Sequence, residues 1–463
     1  MAIRFGTSGW RAVIADEFTF ENVRKVSEAI CGYLTEQRAD ERHILVIGND
    51  SRFMGETFAR VAGNIAATKG IRVLMCSGTT PTPTISHAIR SQKAGGGINF
   101  TASHNPPEYQ GIKFSTADGA PALPDVTQRI EALIAQDSQT RNAPGGSVEE
   151  YDARDGYLNN LESKIRFDAI SAGKGRFAYD PLWGTGRGYL DKVLRDHGLE
   201  VETLHDWRDV TFGGKAPEPG EEHLGNLRAK VIDKKLTLGL ATDGDADRFG
   251  VIDSDGTFIT PNQLIAILTD YLAESRGWNL GVARSVATSH LIDRIAADRG
   301  LKLYETPVGF KYIGELINKD KVILGGEESA GLSIRGHYPE KDGILACLLS
   351  AEAVAVRQAS LSEQLEEIYK RVGRLESGRI GVKLTPGVAA KLKDRLAEEP
   401  VEIGGRKIES INRMDGVKFL FKGNSWMLMR PSGTEPIVRI YAESEDKQDL
   451  DGLLENGRQY LLR

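Results

Sequence analysis

An α/β protein is predicted: three similar α/β units with mixed, mostly parallel sheets, followed by a C-terminal α+β domain. Three observations predict it. Apolar runs of strand length alternate with stretches of helical periodicity, the grammar of parallel sheets covered on both faces. The alternation recurs in three portions of similar length, and in each a strand runs out into a polar loop. Beyond about Gly373 the strands are close-set, which suggests an antiparallel sheet. With 463 residues and ~150 residues per domain, the chain is divided at 1–147, 148–254, 255–371 and 372–463.

In the first unit Val23, Val26, Ile30, Tyr33 and Leu34 recur at helical spacing, and His43 to Gly48 is an apolar strand. A helix over 58–69 ends at Gly70, a residue suited to the left-handed position just past a helix. Strand 71–76, a short helix over 83–93 and strand 97–100 lead into Thr101-Ala102-Ser103-His104-Asn105-Pro106. Proline fixes φ and withholds a donor, so Asn105-Pro106-Pro107 breaks the chain sharply after the serine. A helix over 123–136 precedes a linker at Asn142 to Ser147.

The second unit has a helix near 151–165, strand 176–179, helix 187–197, strand 199–204 and helix 223–234. Its strand 236–241 runs into Thr242-Asp243-Gly244-Asp245-Ala246-Asp247-Arg248. In the third, Thr260-Pro261-Asn262-Gln263 starts a helix, with Thr as cap, Pro in the first turn and Gln three residues on. Strand 282–287, helix 291–299, strand 301–305 and a helix through 312–318 follow. Strand 321–324 enters Gly325-Gly326-Glu327-Glu328-Ser329-Ala330-Gly331, and helix 343–358 closes the unit. The last domain has strands over 418–421, 426–429 and 437–441 and a final helix over about 447–461.

The composition excludes several classes of function. Formal charge is −6 and the isoelectric point is near 5.9, a poor basis for binding nucleic acid or anionic membranes. Cys31, Cys76 and Cys347 lie in apolar surroundings without metal-ligand spacing and read as buried, reduced thiols. No apolar signal region opens the sequence, and no apolar run is long enough to span a bilayer. The expectation is a cytoplasmic protein, a monomer or small homo-oligomer, whose partners are small molecules.

Ligands in open α/β sheets bind beyond the carboxyl ends of strands, so the strand-end loops carry the candidate chemistry. Ser103 is a small nucleophile on a sharp turn, and Lys113 follows it closely. Asp243, Asp245 and Asp247 repel one another unless a cation sits among them, and hard oxygen ligands point to magnesium or calcium. An EF-hand is rejected, because its sixth position would be Arg248 and its twelfth Ser254. A solvated acidic turn is the plainer alternative. Glu327 and Ser329 offer acceptors for two neighbouring sugar hydroxyls, although a glycine-rich turn alone explains that loop equally well. Lys311 adds a cation near a third-unit strand end. Arg430-Pro431-Ser432-Gly433-Thr434 has the guanidinium, hydroxyls and glycine of a phosphate cradle, with Arg439 on the next strand; a hairpin turn is the competing reading. Arg11, in Gly6-Thr7-Ser8-Gly9-Trp10-Arg11, would pair with a phosphate or a carboxylate. Asp50 and Arg52 read as a structural ion pair.

Together the loops at 101–106, 243–248, 326–329 and 430–436 resemble, in order and spacing, those of the α-D-phosphohexomutase superfamily, the phosphoglucomutases and phosphomannomutases. The resemblance covers essentially the whole chain. It implies four domains around a central cleft, with Ser103 as a phosphoserine. Mg²⁺ would be held by Asp243, Asp245, Asp247 and the Ser103 phosphate. Glu327 and Ser329 would hold sugar hydroxyls. Arg430, Ser432, Gly433 and Thr434 would grip the non-reacting phosphate, with Arg11, Arg248 and Arg439 also contacting substrate. Acid–base work would fall to His104, Lys113 or Lys311, Lys113 serving as a base if neighbours and burial lower its pKa. The implied reaction interconverts glucose 1-phosphate and glucose 6-phosphate through glucose 1,6-bisphosphate.

The stretches Gly326–Ser329, Thr306–Lys311 and Glu340–Gly343 look most like phosphoglucomutases. Phosphoglucosamine mutases usually carry Gln at the position of Glu328 and His where this chain has Gly331. Mannose phosphates differ in one hydroxyl's orientation and fit as additional substrates. Phosphomannomutase or phosphoglucosamine mutase as the main activity, and a non-catalytic sugar-phosphate-binding protein, are the alternatives. A phosphatase with Asp243 as nucleophile is a further one. Intact Ser103 and all three aspartates speak against loss of catalysis.

Overall fold

The structure is a computed structural model that describes residues 3–6, 9–37, 44–136, 141–432 and 437–463. Its strands form three mixed sheets and one antiparallel sheet. In the first, the order across the sheet is Trp10–Val13, Tyr109–Thr116, Gly96–Phe100, Ile44–Asn49, Arg72–Cys76 and Ser147–Tyr151. The first two junctions are antiparallel and the remaining three parallel.

Alternation along the central strand shows why both faces are covered. Leu45 and Ile47 join a core with Val23, Ile30 and Phe58, from helices Phe20–Gln37 and Gly55–Thr68. Val46, between them, joins Ile85 and Ile89 of helix Thr82–Ser91 on the other face. Successive strand side chains point to opposite faces, so one apolar run serves both layers. Gly70 has φ 78, as its place after the helix required.

Two strands of this sheet escaped the sequence pattern, and both matter for the site. Trp10–Val13 and Tyr109–Thr116 pair with Arg11 opposite Gly111, which sets Arg11 on the edge strand and Lys113 on the strand next to it. The expected linker also needs correcting, because Ser147 begins a strand parallel to Arg72–Cys76. Ser-Val-Glu-Glu-Tyr is polar and half exposed, as an edge strand can be, and Arg72 braces it by a forked pair to Glu149.

The second sheet runs Phe258–Ile259, Phe249–Asp253, Leu238–Thr242, Arg176–Asp180 and Glu200–Thr203. The aspartate loop joins Leu238–Thr242 to its antiparallel neighbour Phe249–Asp253. The third runs Leu303–Thr306, Gly281–Ser285, Val322–Glu327 and Gly331–Ile334, and Glu328, Ser329 and Ala330 turn between its antiparallel last pair. Helix Pro261–Ser275 carries the expected capping box, with Thr260 and Gln263 exchanging bonds. Helix Gly343–Arg357 is buried along most of its length. It joins residues such as Tyr179, Leu240 and Val251 of the second unit and Leu264, Leu324 and Leu332 of the third in one continuous core.

The fourth unit follows Gly373, whose φ is 86. Its antiparallel order is Glu376–Lys383, Ile437–Ser444, Trp426–Pro431, Val417–Phe421, Arg406–Asn412 and Glu402–Ile403. Helix Lys447–Leu462 buries Leu450, Leu453 and Leu461 on the sheet in a separate core. The three cysteines are buried and unbonded to one another. No single described helix is long and apolar enough to cross a membrane.

Candidate active site

Ser103 sits on its turn in the left-handed region, at φ 53. Its amide donates to Thr101 Oγ1 at 2.8 Å, and Thr101 Oγ1 donates to Asp50 Oδ2 at 2.6 Å. Its hydroxyl donates to Asp243 Oδ2 at 2.9 Å and lies 3.4 Å from His104 Nδ1. The first-unit serine and the second-unit aspartates, far apart in sequence, therefore form one site.

The three carboxylates are fully buried, and one oxygen from each lies within 4.8 Å of the others. Asp243 Oδ1 accepts from the amides of Asp247 and Arg248. Asp245 Oδ2 accepts from Thr82 Oγ1 and from Lys113 Nζ, each at 2.5 Å. Asp247 Oδ2 accepts from Lys113 Nζ at 2.7 Å, and Lys341 Nζ stands 3.2 Å away. Asp245 Oδ1 and Asp247 Oδ1 are buried without a protein hydrogen-bond partner. Burial pushes the Asp243 carboxyl well above the usual range, and Asp245 and Asp247 add to it. Burial would do the same to Asp247, but Lys113, Lys341 and Arg248 hold it below that range. Buried carboxylate oxygens without hydrogen-bond donors, in an all-oxygen set, fit a hard divalent cation.

The protonation of the neighbouring bases departs from the sequence reading. Lys113 is buried, which would lower its pKa, yet Asp245 and Asp247 raise it above the ordinary lysine value. The lowered pKa on which its role as a base depended is therefore not found in this arrangement. His104 moves the other way. Burial, then the charges of Arg248 and Arg11, hold its ring well below the usual imidazole range, so it is neutral at pH 7.

A cleft of about 420 Å³ opens beside the serine turn and is lined from all four units. Arg11 and His104 reach it from the first and Arg248 from the second; Glu327 and Ser329 reach it from the third. Arg430, Ser432 and Arg439 enter from the fourth. Arg430 and Arg439 are direct cross-strand partners, and Arg430 Nε donates to Asp415 at 2.9 Å. Arg11 donates to Asn105 Oδ1 at 2.6 Å, which ties it to the serine turn. This concentration of guanidinium groups on a net-acidic chain suits an anionic ligand. Gly433 and Thr434, like Thr7, Ser8 and His43, lie outside the described residues.

Lys311, in the first turn of helix Phe310–Asn318, is not among the cleft-lining residues, and its ammonium lies 5.6 Å from the Tyr312 ring centre. The third-unit lysine in the cleft is Lys341, bonded to Glu340 at 2.7 Å. Gly331 explains part of its placement, since a Cβ there would stand 2.3 Å from Lys341 Cδ.

Glu327 accepts from the Gly309 amide at 2.7 Å, while Glu328 accepts from Ser285 and Thr288 hydroxyls. Burial and then the charge of Glu328 push the Glu327 carboxyl up to about 7. Its folded pKa is raised, so the stability it contributes is complete below pH ~4.5 and lost as pH rises toward 7. Glu327→Gln keeps the acceptor and is expected to stabilise the fold by about 3 kcal/mol at pH 8 and hardly at all below pH ~4.5. Urea unfolding at the two pH values checks this; an equal effect at both would contradict the shift.

Comparison with known proteins agrees with the fold. Family models for phosphoglucomutase/phosphomannomutase match in order: alpha/beta/alpha domain I at 2–141, domain II at 155–256, domain III at 260–372 and the C-terminal domain at 383–457. A phosphoglucomutase/phosphomannomutase from Thermococcus kodakarensis is 30% identical, over 98% of this chain and 97% of its own. A protein named a probable phosphoglucosamine mutase, from Methanosphaera stadtmanae, is also 30% identical, over 99% and 98%. The crystal structure of a protein provisionally titled a phosphomannomutase, from Thermus thermophilus, superposes with a TM-score of 0.88 at 35% identity, covering 100% of both chains. Fold and relatives thus define an α-D-phosphohexomutase, an intramolecular phosphotransferase classed among the isomerases. Within that superfamily the chain belongs to the phosphoglucomutase/phosphomannomutase family.

Proposed function

We propose that the chain is a Mg²⁺-dependent phosphoglucomutase that interconverts glucose 1-phosphate and glucose 6-phosphate, with mannose phosphates as further substrates. The observation that carries the reading is the Ser103 hydroxyl at 2.9 Å from a buried aspartate trio, beside an arginine-lined cleft. Ser103, once phosphorylated, gives its phosphoryl group to the free hydroxyl of the bound sugar phosphate. The resulting 1,6-bisphosphate turns over within the cleft and returns its other phosphoryl group to Ser103. His104, which lines the cleft 3.4 Å from the Ser103 hydroxyl, is the group placed to exchange the proton of the attacking hydroxyl. Arg430, Ser432 and Arg439 hold the phosphate that is not reacting, and Glu327 and Ser329 orient the sugar. Asp243, Asp245 and Asp247 would hold Mg²⁺, which when bound neutralises charge on the transferring phosphoryl group.

Glucose is favoured by the Glu327-Glu328-Ser329 sequence and by Gly331, whose space Lys341 occupies. The test is a coupled assay with glucose 1-phosphate, catalytic glucose 1,6-bisphosphate and Mg²⁺, run beside mannose, glucosamine and N-acetylglucosamine 1-phosphates. Folded protein that forms no glucose 6-phosphate would overturn the reading, and faster turnover of an amino sugar would replace the substrate. Arg430→Ala is expected to raise KM about tenfold or more while leaving the Mg²⁺-induced rise in Tm unchanged. An unaltered KM would remove Arg430 from the phosphate grip.

A further inference from the structure

We propose that Arg52 is a positioning residue for phosphoryl transfer: its guanidinium clamps the backbone of the serine turn and aims Ser103 at the aspartate loop. The inference rests on the function proposed above. Arg52 is completely buried. Its guanidinium donates to the carbonyls of Ser103 at 2.7 Å, Asn105 at 2.6 Å, Pro106 at 2.7 Å and Tyr109 at 3.1 Å. Its Nε donates to Asp50 Oδ2 at 3.1 Å. The same Asp50 oxygen accepts from Thr101, which in turn accepts from the Ser103 amide. One ion pair therefore fixes the turn from both sides of the serine.

The conformation held in this way needs holding. Ser103 is at φ 53, a region that disfavours a side chain by roughly 1–2 kcal/mol. Such a residue stays put only where its surroundings over-determine it. A planar guanidinium can reach several carbonyls spread around a turn, whereas an ammonium is a point donor with three bonds. The second unit closes the arrangement, with the Phe212 ring centre 5.0 Å from the guanidinium carbon. Arg52 approaches the turn through its carbonyls, so the Ser103 hydroxyl remains free to carry a phosphoryl group.

The test compares Arg52→Lys and the isosteric Thr101→Val with Arg208→Ala, which loosens the same segment at Ser51 and Glu56 without touching the serine turn. Arg52→Lys is expected to lower kcat about 100-fold and Thr101→Val about tenfold, with KM for glucose 1-phosphate nearly unchanged. Ser103 phosphorylation from glucose 1,6-bisphosphate, followed by intact mass, slows in parallel. Amide exchange over residues 101–111 accelerates about tenfold in both variants and not in Arg208→Ala. A folded variant with wild-type kcat and wild-type exchange overturns the proposal, as does a change confined to KM. If Arg52→Lys does not fold, Thr101→Val decides. A wild type without mutase turnover would instead sink the functional reading, and the exchange comparison would still decide whether Arg52 holds the turn.

Discussion

Ser103→Ala is expected to lower turnover by about 10⁴-fold or more while leaving a folded protein that still binds hexose phosphate. Ser103 is 1% exposed, and its hydroxyl donates to Asp243 at 2.9 Å and lies within hydrogen-bond reach of His104 Nδ1 at 3.4 Å. Losing that bond destabilises the fold by about 1 kcal/mol. Alanine has the same backbone penalty at positive φ as serine, so the turn itself gains little strain. Catalysis loses more, because the hydroxyl on Asp243 is removed and the phosphoryl group loses its proposed carrier, while the Thr82 hydroxyl is engaged by Asp245. Calorimetry, the coupled assay and intact mass after incubation with glucose 1,6-bisphosphate check each part. Near-wild-type rates would refute Ser103 as the carrier, and a phosphoryl group found on Asp243 would favour an aspartyl-phosphate mechanism.

The second large effect has opposite signs for stability and activity. Asp243→Asn is expected to raise stability in chelator by about 2 kcal/mol and to lower turnover about 1000-fold. Asp243 is the aspartate without an ammonium among its hydrogen-bond partners, since Lys113 bonds Asp245 and Asp247. Its charge is opposed by burial and by both neighbours. Asparagine relieves that repulsion and keeps an oxygen for the amides of Asp247 and Arg248. The wild type should gain stability with Mg²⁺, by about 2.7 kcal/mol at 100 times Kd. The variant should lose that response. Thermal melts across a Mg²⁺ series separate the outcomes, and a variant less stable than wild type in chelator would contradict the repulsion argument.

Both effects concern loops that were legible in the sequence, because each follows an apolar strand and carries a dense group of one chemistry. The capping box at Thr260 was legible for the same local reason. What escaped depends on tertiary neighbours. Tyr109–Thr116 was not recognised as a strand, although it carries Lys113 between the aspartates. Ser147–Tyr151 reads as linker because an edge strand can be polar on both faces. Lys341 was given no role in the sequence, because its place in the cleft depends on packing against the distant backbone of Gly331. Arg52 reads as half of an ion pair, and its hold on the carbonyls of residues 103–109 has no sequence signature. The shift of Lys113 is likewise a property of two carboxylates brought from another unit.

The core shared by the second and third units works as a gauge block. The aspartate loop and the Glu327–Ser329 turn spring from strands that bury their apolar faces in the same mass of side chains. The spacing between them is therefore set by close-packed matter, which resists compression. The first unit has a core of its own, and the fourth has one under its helix while Trp426, Leu428 and Tyr441 pack against Val286 and Ala287 of the third. In the proposed cycle a sugar phosphate presented first by one end and then by the other meets the same ruled interval both times.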